Sequence, residues 1–162
     1  MSDRYSDRYE VVPFLPDHAI DLYGEEINVG FVAEVGGVEN LVPWAMNAAR
    51  GHAWTGIRVS DGLVIGCGGF SLLWAGVADG WVIFRKIVEG EYRRDAYTEI
   101  LGMLAVEIKK RGIWRIQATV RTDFPAGIKY AEGLGFVREG LMRKYGPDGT
   151  DRYLYALVME GL

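Results

Sequence analysis

Residues 115–159 read RIQATVRTDFPAGIKYAEGLGFVREGLMRKYGPDGTDRYLYALVM, and the architecture follows from this stretch. Trp114, Ile116, Ala118 and Val120 alternate with Arg115, Gln117, Thr119 and Arg121, the period-2 pattern of a strand with one apolar face. Asp123 offers a side-chain oxygen as a helix cap, and Pro125 suits the first helical turn, where its missing N–H has no partner to lose. Ile128, Ala131 and Leu134 share one face of a short helix that Gly135 ends, because the residue past a last turn favours the left-handed conformation. Phe136 opens another strand, Gly146-Pro147-Asp148-Gly149 makes a turn, and residues 153–159 return as a nearly unbroken apolar run, which suits a strand covered on both faces. The order is strand, short helix, strand, turn, strand.

Within this stretch, residues 126–140 (AGIKYAEGLGFVREG) resemble the C-terminal signature of the GNAT superfamily, the acetyl-CoA-dependent N-acetyltransferases. The resemblance is nearest to the branch that acetylates ribosomal proteins and other protein N-termini. There a helix ends in A-E-K-L-G-F followed by E-G, and Glu132-Gly133-Leu134-Gly135-Phe136 and Glu139-Gly140 match it. The closing Asp151-Arg152-Tyr153-x-Tyr155 tail is similar too, and the likeness extends from about residue 80 to the end. It implies an α+β, GNAT-like fold: a mixed, mostly antiparallel central sheet with a βαβ unit, flanked by helices on both faces.

Upstream, 162 residues with 49% hydrophobic content suffice for one domain with its own core, expected over residues 9–162. Residues 2–9 repeat Ser-Asp-Arg-Tyr, and residues 1–8 are expected to be a disordered tail. Residues 9–14 suggest a first strand stopped by Pro16, and residues 17–23 a short helix. Gly36-Gly37 marks a break, and Asn40 caps a helix through Arg50 in whose first turn Pro43 is tolerated. Residues 53–59 and 63–74 form a hairpin around Asp61-Gly62, and a second turn at Asp79-Gly80 leads to a strand over 81–88. The glycines of residues 65–70 mark a bulge or a close backbone approach. Glu91 to Arg111 is the main helix, with Tyr97, Leu101, Leu104 and Ile108 on one stripe widened by Ile100 and Met103. Lys109-Lys110-Arg111 complements its dipole before Gly112. Strand, helix and parallel strand over residues 81–120 make a βαβ unit.

Several function classes recede. No run of about 18 apolar residues is present to span a membrane, and the polar start does not read as a secretory signal. The single Cys67 leaves no disulfide framework and fits a reducing, cytoplasmic setting. It reads as a small buried hydrophobe, because no histidine stands beside it. His18 and His52 have no metal-ligand spacing, so no metal is expected. A net charge of −4 argues against broad nucleic-acid binding.

The resemblance implies a site. In that superfamily the main helix opens with an Arg/Gln-x-x-Gly-x-Gly/Ala loop whose N–H groups hold the CoA pyrophosphate, an anion site at a helix N-terminus. The corresponding residues are Arg93, Arg94, Asp95, Ala96, Tyr97 and Thr98, which keep the leading arginine but replace both small positions. The thioester carbonyl is assigned to backbone N–H groups near Ile87 and Val88. Glu89 is either the base that deprotonates the amine or an exposed strand-end carboxylate. The tyrosine that protonates the leaving thiolate would fall at Ala131, with Tyr130 one residue and about 100° round the helix. Phe124 stands near the place of an asparagine. Tyr145 and Tyr155 read as core or surface aromatics. The implied partners are acetyl-CoA and an amine acceptor on a protein or small molecule, with a homodimer left open. Because the loop is altered, a second reading stands beside the enzyme: a GNAT-like domain without CoA chemistry, serving as a structural or interaction protein in a larger assembly, bacterial or bacteriophage.

Overall fold

The computed structural model describes residues 9–23, 38–85 and 91–160, with residues 23, 38, 91–97 and 100 described through their backbone. Among the described residues eleven elements follow in the order β1 (Tyr9–Pro13), α1 (Pro16–Tyr23), α2 (Val38–Ala48), β2 (His52–Arg58), β3 (Val64–Trp74), β4 (Val77–Phe84), α3 (Glu91–Lys110), β5 (Arg115–Arg121), α4 (Pro125–Gly133), β6 (Val137–Met142) and β7 (Arg152–Val158). The strands form one seven-stranded sheet in the order β1-β2-β3-β4-β5-β7-β6. All neighbours are antiparallel except β4 and β5, which α3 connects as the expected βαβ unit. The α+β architecture is therefore as the sequence implied. The tail at 1–8, the break at Gly36-Gly37 and the site residues Ile87, Val88 and Glu89 lie outside the described residues.

Helices cover both faces. On one, α1 and α2 pack Ala19, Leu22, Ala45 and Ala48 against Val64, Cys67 and Ile83. There Trp81 meets Phe14 at 5.4 Å and Trp44 at 4.9 Å, both edge to face, a geometry that aligns ring edges with the negative face of the partner. On the other face, Leu101, Leu104 and Ile108 of α3 pack against Phe70, Ala78, Ile113 and Ile116. These three belong to the apolar stripe read from the helical period, of which the Tyr97 and Ile100 side chains lie outside the described residues.

Four local readings change. The turn expected at Asp79-Gly80 lies at Gly76, whose φ is +81°, while Asp79 and Gly80 continue β4. Helix α2 starts at Val38 and not at an Asn40 cap, so Pro43 sits inside it and leaves the Glu39 carbonyl without its intrahelical donor. Pro16 begins α1 instead of merely ending β1. Asp123 does not cap α4: the cap residue is Phe124, with no side-chain hydrogen bond, because Arg121 takes both Asp123 oxygens at 2.9 Å. The ends of α4 otherwise agree, with Pro125 first and Gly135 left-handed at φ +91°. Between Gly66 and Phe70, β3 keeps an unbroken register with β4. On the β2 side the register shifts at Ile65, between the pairs Gly56–Gly66 and Ile57–Val64, so the stretch holds an irregularity at its start as well as close approaches at Gly66 and Gly69.

Candidate active site

The parallel pairing of β4 with β5 is short. It joins Val77, Ala78 and Asp79 to Arg115, Ile116 and Gln117 and then stops. At that point a Cβ on Gly80 would stand 2.9 Å from the Ile116 side chain, so Ile116 fills the apex where the strands part. Beyond it, among the described residues, β4 runs on to Phe84 paired only with β3, and β5 runs on to Arg121 paired only with β7. The result is a wedge with strand edges on both sides. Its backbone N–H and C=O groups are those a ligand can use.

Side chains from distant parts of the chain meet at this wedge. Tyr130 of α4 contacts Phe84 of β4 across it, with ring centroids 5.8 Å apart at 74°, and the Tyr130 hydroxyl is buried. Ala131, the other position considered, is buried toward the core. Phe124 is exposed and folds over Gly127, where a Cβ would stand 2.5 Å from its ring. Helix α3 begins at Glu91, so Arg93, Arg94, Ala96, Tyr97 and Thr98 lie in its first two turns. The N–H groups without intrahelical partners are those of residues 91–94.

Ion pairs hold the mouth. Arg121 bonds Asp123 and, at 2.7 Å, Asp148 of the β6–β7 turn. The Thr150 side chain and N–H, with Arg121, hold the Asp148 carboxyl well below its usual range. Thr122 N–H and hydroxyl both donate to the Asp151 carbonyl. At the end of β4, the buried Arg85 donates to the Val64 carbonyl at 2.6 Å and to Asp21 of α1 at 2.7 Å, fixing α1 to the strand that borders the wedge. Neither arginine was singled out by sequence. Asp148 and Asp21 lie too far along the chain for any local pattern to mark them, and Asp123, two residues from Arg121, has the composition of a helix cap.

The Glu132 to Phe136 signature has a structural role here. Tyr155, fully buried, donates its hydroxyl hydrogen to Glu132 at 2.9 Å and accepts from Arg138 at 2.9 and 3.0 Å. Arg138 also lies 3.8 Å over the Tyr153 ring. Burial pushes the Tyr155 phenol up, which keeps its proton in place as the donor. Glu139 pairs with Arg115 at 2.6 Å, joining β6 to β5. Tyr145 is exposed. Cys67 is fully buried, contacts Thr55 at 3.4 Å, and burial pushes its thiol up to about 12, as a packing residue requires. Among the described residues no three metal-ligating side chains gather, and no helix is long and apolar enough to cross a membrane.

The sequence matches no protein-family model and no curated protein. The fold does find likenesses. A GNAT-family acetyltransferase from Bacillus anthracis superposes with TM-score 0.69 at 19% identity, covering 95% of this chain and 96% of that one. A ribosomal-protein-alanine N-acetyltransferase from Brucella melitensis gives 0.68 at 16% identity over 93% and 99%. The YncA protein of Salmonella typhimurium, solved with its cofactor acetyl-CoA, gives 0.68 at 16% over 96% of each chain. The chain thus has the GNAT fold over nearly its whole length.

Proposed function

We propose that this protein is an acetyl-CoA-dependent N-acetyltransferase that acts on a primary amine of a protein or small molecule. The observation that carries the reading is the parting of β4 and β5 after Asp79 and Gln117, with Tyr130 reaching Phe84 across the opening. A wedge edged by strand backbone accepts an extended, amide-bearing arm such as that of CoA. The first turn of α3, with Arg93 and Arg94, supplies unpaired N–H groups and cations for the pyrophosphate. Ala96, Tyr97 and Thr98 continue that contact. A cytoplasmic location suits a protein whose one cysteine is an unpaired thiol.

The chemistry needs a neutral amine, a polarised carbonyl and a proton for sulfur. In the proposed assignment, N–H groups at Ile87 and Val88 hold the thioester oxygen as negative charge develops there. The amine nitrogen bonds to the carbonyl carbon while the C–S bond breaks. Glu89, directly or through water, takes the proton that nitrogen loses, and the Tyr130 hydroxyl gives a proton to the departing sulfur. One acetamide and one thiol result, and proton return from Glu89 to Tyr130 through solvent resets the site.

The melting temperature with and without acetyl-CoA tests this. Ligand at about 100 times Kd adds roughly 2.7 kcal/mol, or about 5–10 °C for a domain of this size. Arg93→Ala shrinks the shift, whereas Tyr130→Phe keeps it and lowers kcat. No shift at millimolar acetyl-CoA would refute the reading.

A further inference from the structure

The closed end of the wedge lies beside an unfinished strand edge. β2 begins at His52, whose partner in β3 is Phe70, but β3 runs on to Trp74. Among the described residues no strand pairs with residues 71–74 on the β2 side, although on the other β4 pairs with Ser71, Leu72 and Trp74, its register shifting at Leu73. These residues are also apolar and uncovered: Leu72 is 47%, Leu73 45% and Trp74 65% exposed. An exposed edge with large apolar side chains invites pairing by another chain, and proteins ordinarily guard such edges.

Cations border this edge. A cleft of about 320 Å³ runs along it, lined by Asn47, Arg50 and Gly51 after α2, by His52, and by Ser71 and Leu72. Arg50 is exposed and has no acidic partner among the described residues. Arg111 is near enough to His52 to disfavour its protonation. It shares the single carboxylate Glu107 with Lys110, and Lys109 stands beside them. This concentration of positive charge occurs on a chain whose net charge is −4, so the local sign runs against the global one.

We propose that this edge of β3 is a docking site for an extended acidic peptide segment of a partner protein, which adds as a strand beside Leu72, Leu73 and Trp74 with its carboxylates toward Arg50 and Arg111. Strand addition draws affinity from main-chain hydrogen bonds and specificity from alternate side chains. A polypeptide presents N–H and C=O groups at strand spacing. A nucleic-acid strand or a lipid surface answers the cations and the tryptophan but not the open backbone. The site is separate from the wedge mouth, since Leu72 pairs with Ala78 at the wedge's closed end, and the proposal does not depend on the transferase reading.

A fluorescein-labelled dodecapeptide of alternating glutamate and valine serves as the probe in an anisotropy titration. The expected result is saturable binding that weakens with salt, by about tenfold in Arg50→Glu, the loss of roughly one charge pair, and again in Trp74→Ser. The same peptide N-methylated at alternate residues does not bind. Circular dichroism and the melting temperature verify that both surface variants stay folded. The proposal is overturned by no binding at millimolar peptide, by equal binding of a lysine-valine peptide, or by undiminished binding of the N-methylated peptide. It is equally overturned if single-stranded oligothymidine or phosphatidylserine vesicles bind this end, sensitive to Arg50→Glu, while the acidic peptide does not.

Discussion

Replacing Gly66 by alanine tests how tightly the sheet is fitted to the wedge. A Cβ there would stand 2.6 Å from Cδ1 of Phe84 and 2.8 Å from the Ile83 carbonyl oxygen, about 1 Å inside an ordinary carbon contact of roughly 3.5–4.0 Å. The Ile83 oxygen belongs to a paired strand and yields little, so relief comes from moving the Phe84 ring, and Tyr130 is the neighbour it moves against. Overpacking of this kind costs about 1–3 kcal/mol, which lowers the melting temperature by about 2–12 °C in a domain of this size. Gly69→Ala is the control. Its Cβ would meet Ala53 and the His52 carbonyl at 2.6 Å, on the same strand but away from Tyr130. Differential scanning fluorimetry with and without acetyl-CoA separates the two effects. Both variants lose stability, but only Gly66→Ala also loses part of the shift produced by acetyl-CoA, and Phe84→Leu in the same chain restores some of it. A Gly66→Ala protein that melts with the wild type would refute the packing argument, and equal losses of acetyl-CoA response in both variants would refute its link to the wedge.

Three further outcomes follow from the geometry. Tyr155→Phe removes the hydroxyl that joins Glu132 to Arg138. Urea denaturation should register a loss of about 1 kcal/mol, since both partners reach water, and a neutral result would show that the clamp contributes nothing. His18 accepts the Leu15 N–H at Nδ1, so its Nδ1 carries no proton, and burial, only partly offset by Asp17 and Asp21, lowers its pKa below 6.5. The unfolded chain therefore protonates first as pH falls. The stability owed to neutral His18 is complete above about pH 6.5 and drains away below it. A stability–pH curve between pH 7.5 and 5 should be flatter in His18→Gln, with the remaining slope shared by His52, which burial and Arg111 also lower. Cys67 should react with an aromatic disulfide reagent only at the rate of unfolding, because the thiolate is suppressed and the sulfur is covered. Stoichiometric labelling of the native protein within seconds would contradict the buried placement.

The second half of the fold was legible in sequence because its signals are local. Gly135 past α4, the Gly146 to Gly149 turn and the alternation through β5 each specify geometry within a few residues, and no distant contact overrules them. The misreadings are places where a side-chain contact outside the local pattern does, distant at Gly76 and Gly80 and near at Asp123. Asp79-Gly80 has the composition of a tight turn, yet Gly80 is small because Ile116 arrives from β5, and the chain reverses at Gly76 under the Trp114 ring. Asp123 has the composition of a cap, yet Arg121 offers two charge-assisted hydrogen bonds where the helix offers one neutral N–H, and the stronger pair wins. The same logic explains why the wedge was half-visible. Tyr130 could be proposed from the signature, but Phe84 could not, because nothing near residue 84 announces a ring partner on α4. Gly66 and Gly80 stand where Phe84 and Ile116 need room. Gly66 and Gly80, neither of positive φ, trace the side chains that shape the opening between β4 and β5, and a reading that asks of each which residue lies over it would find the wedge before it finds the tyrosine.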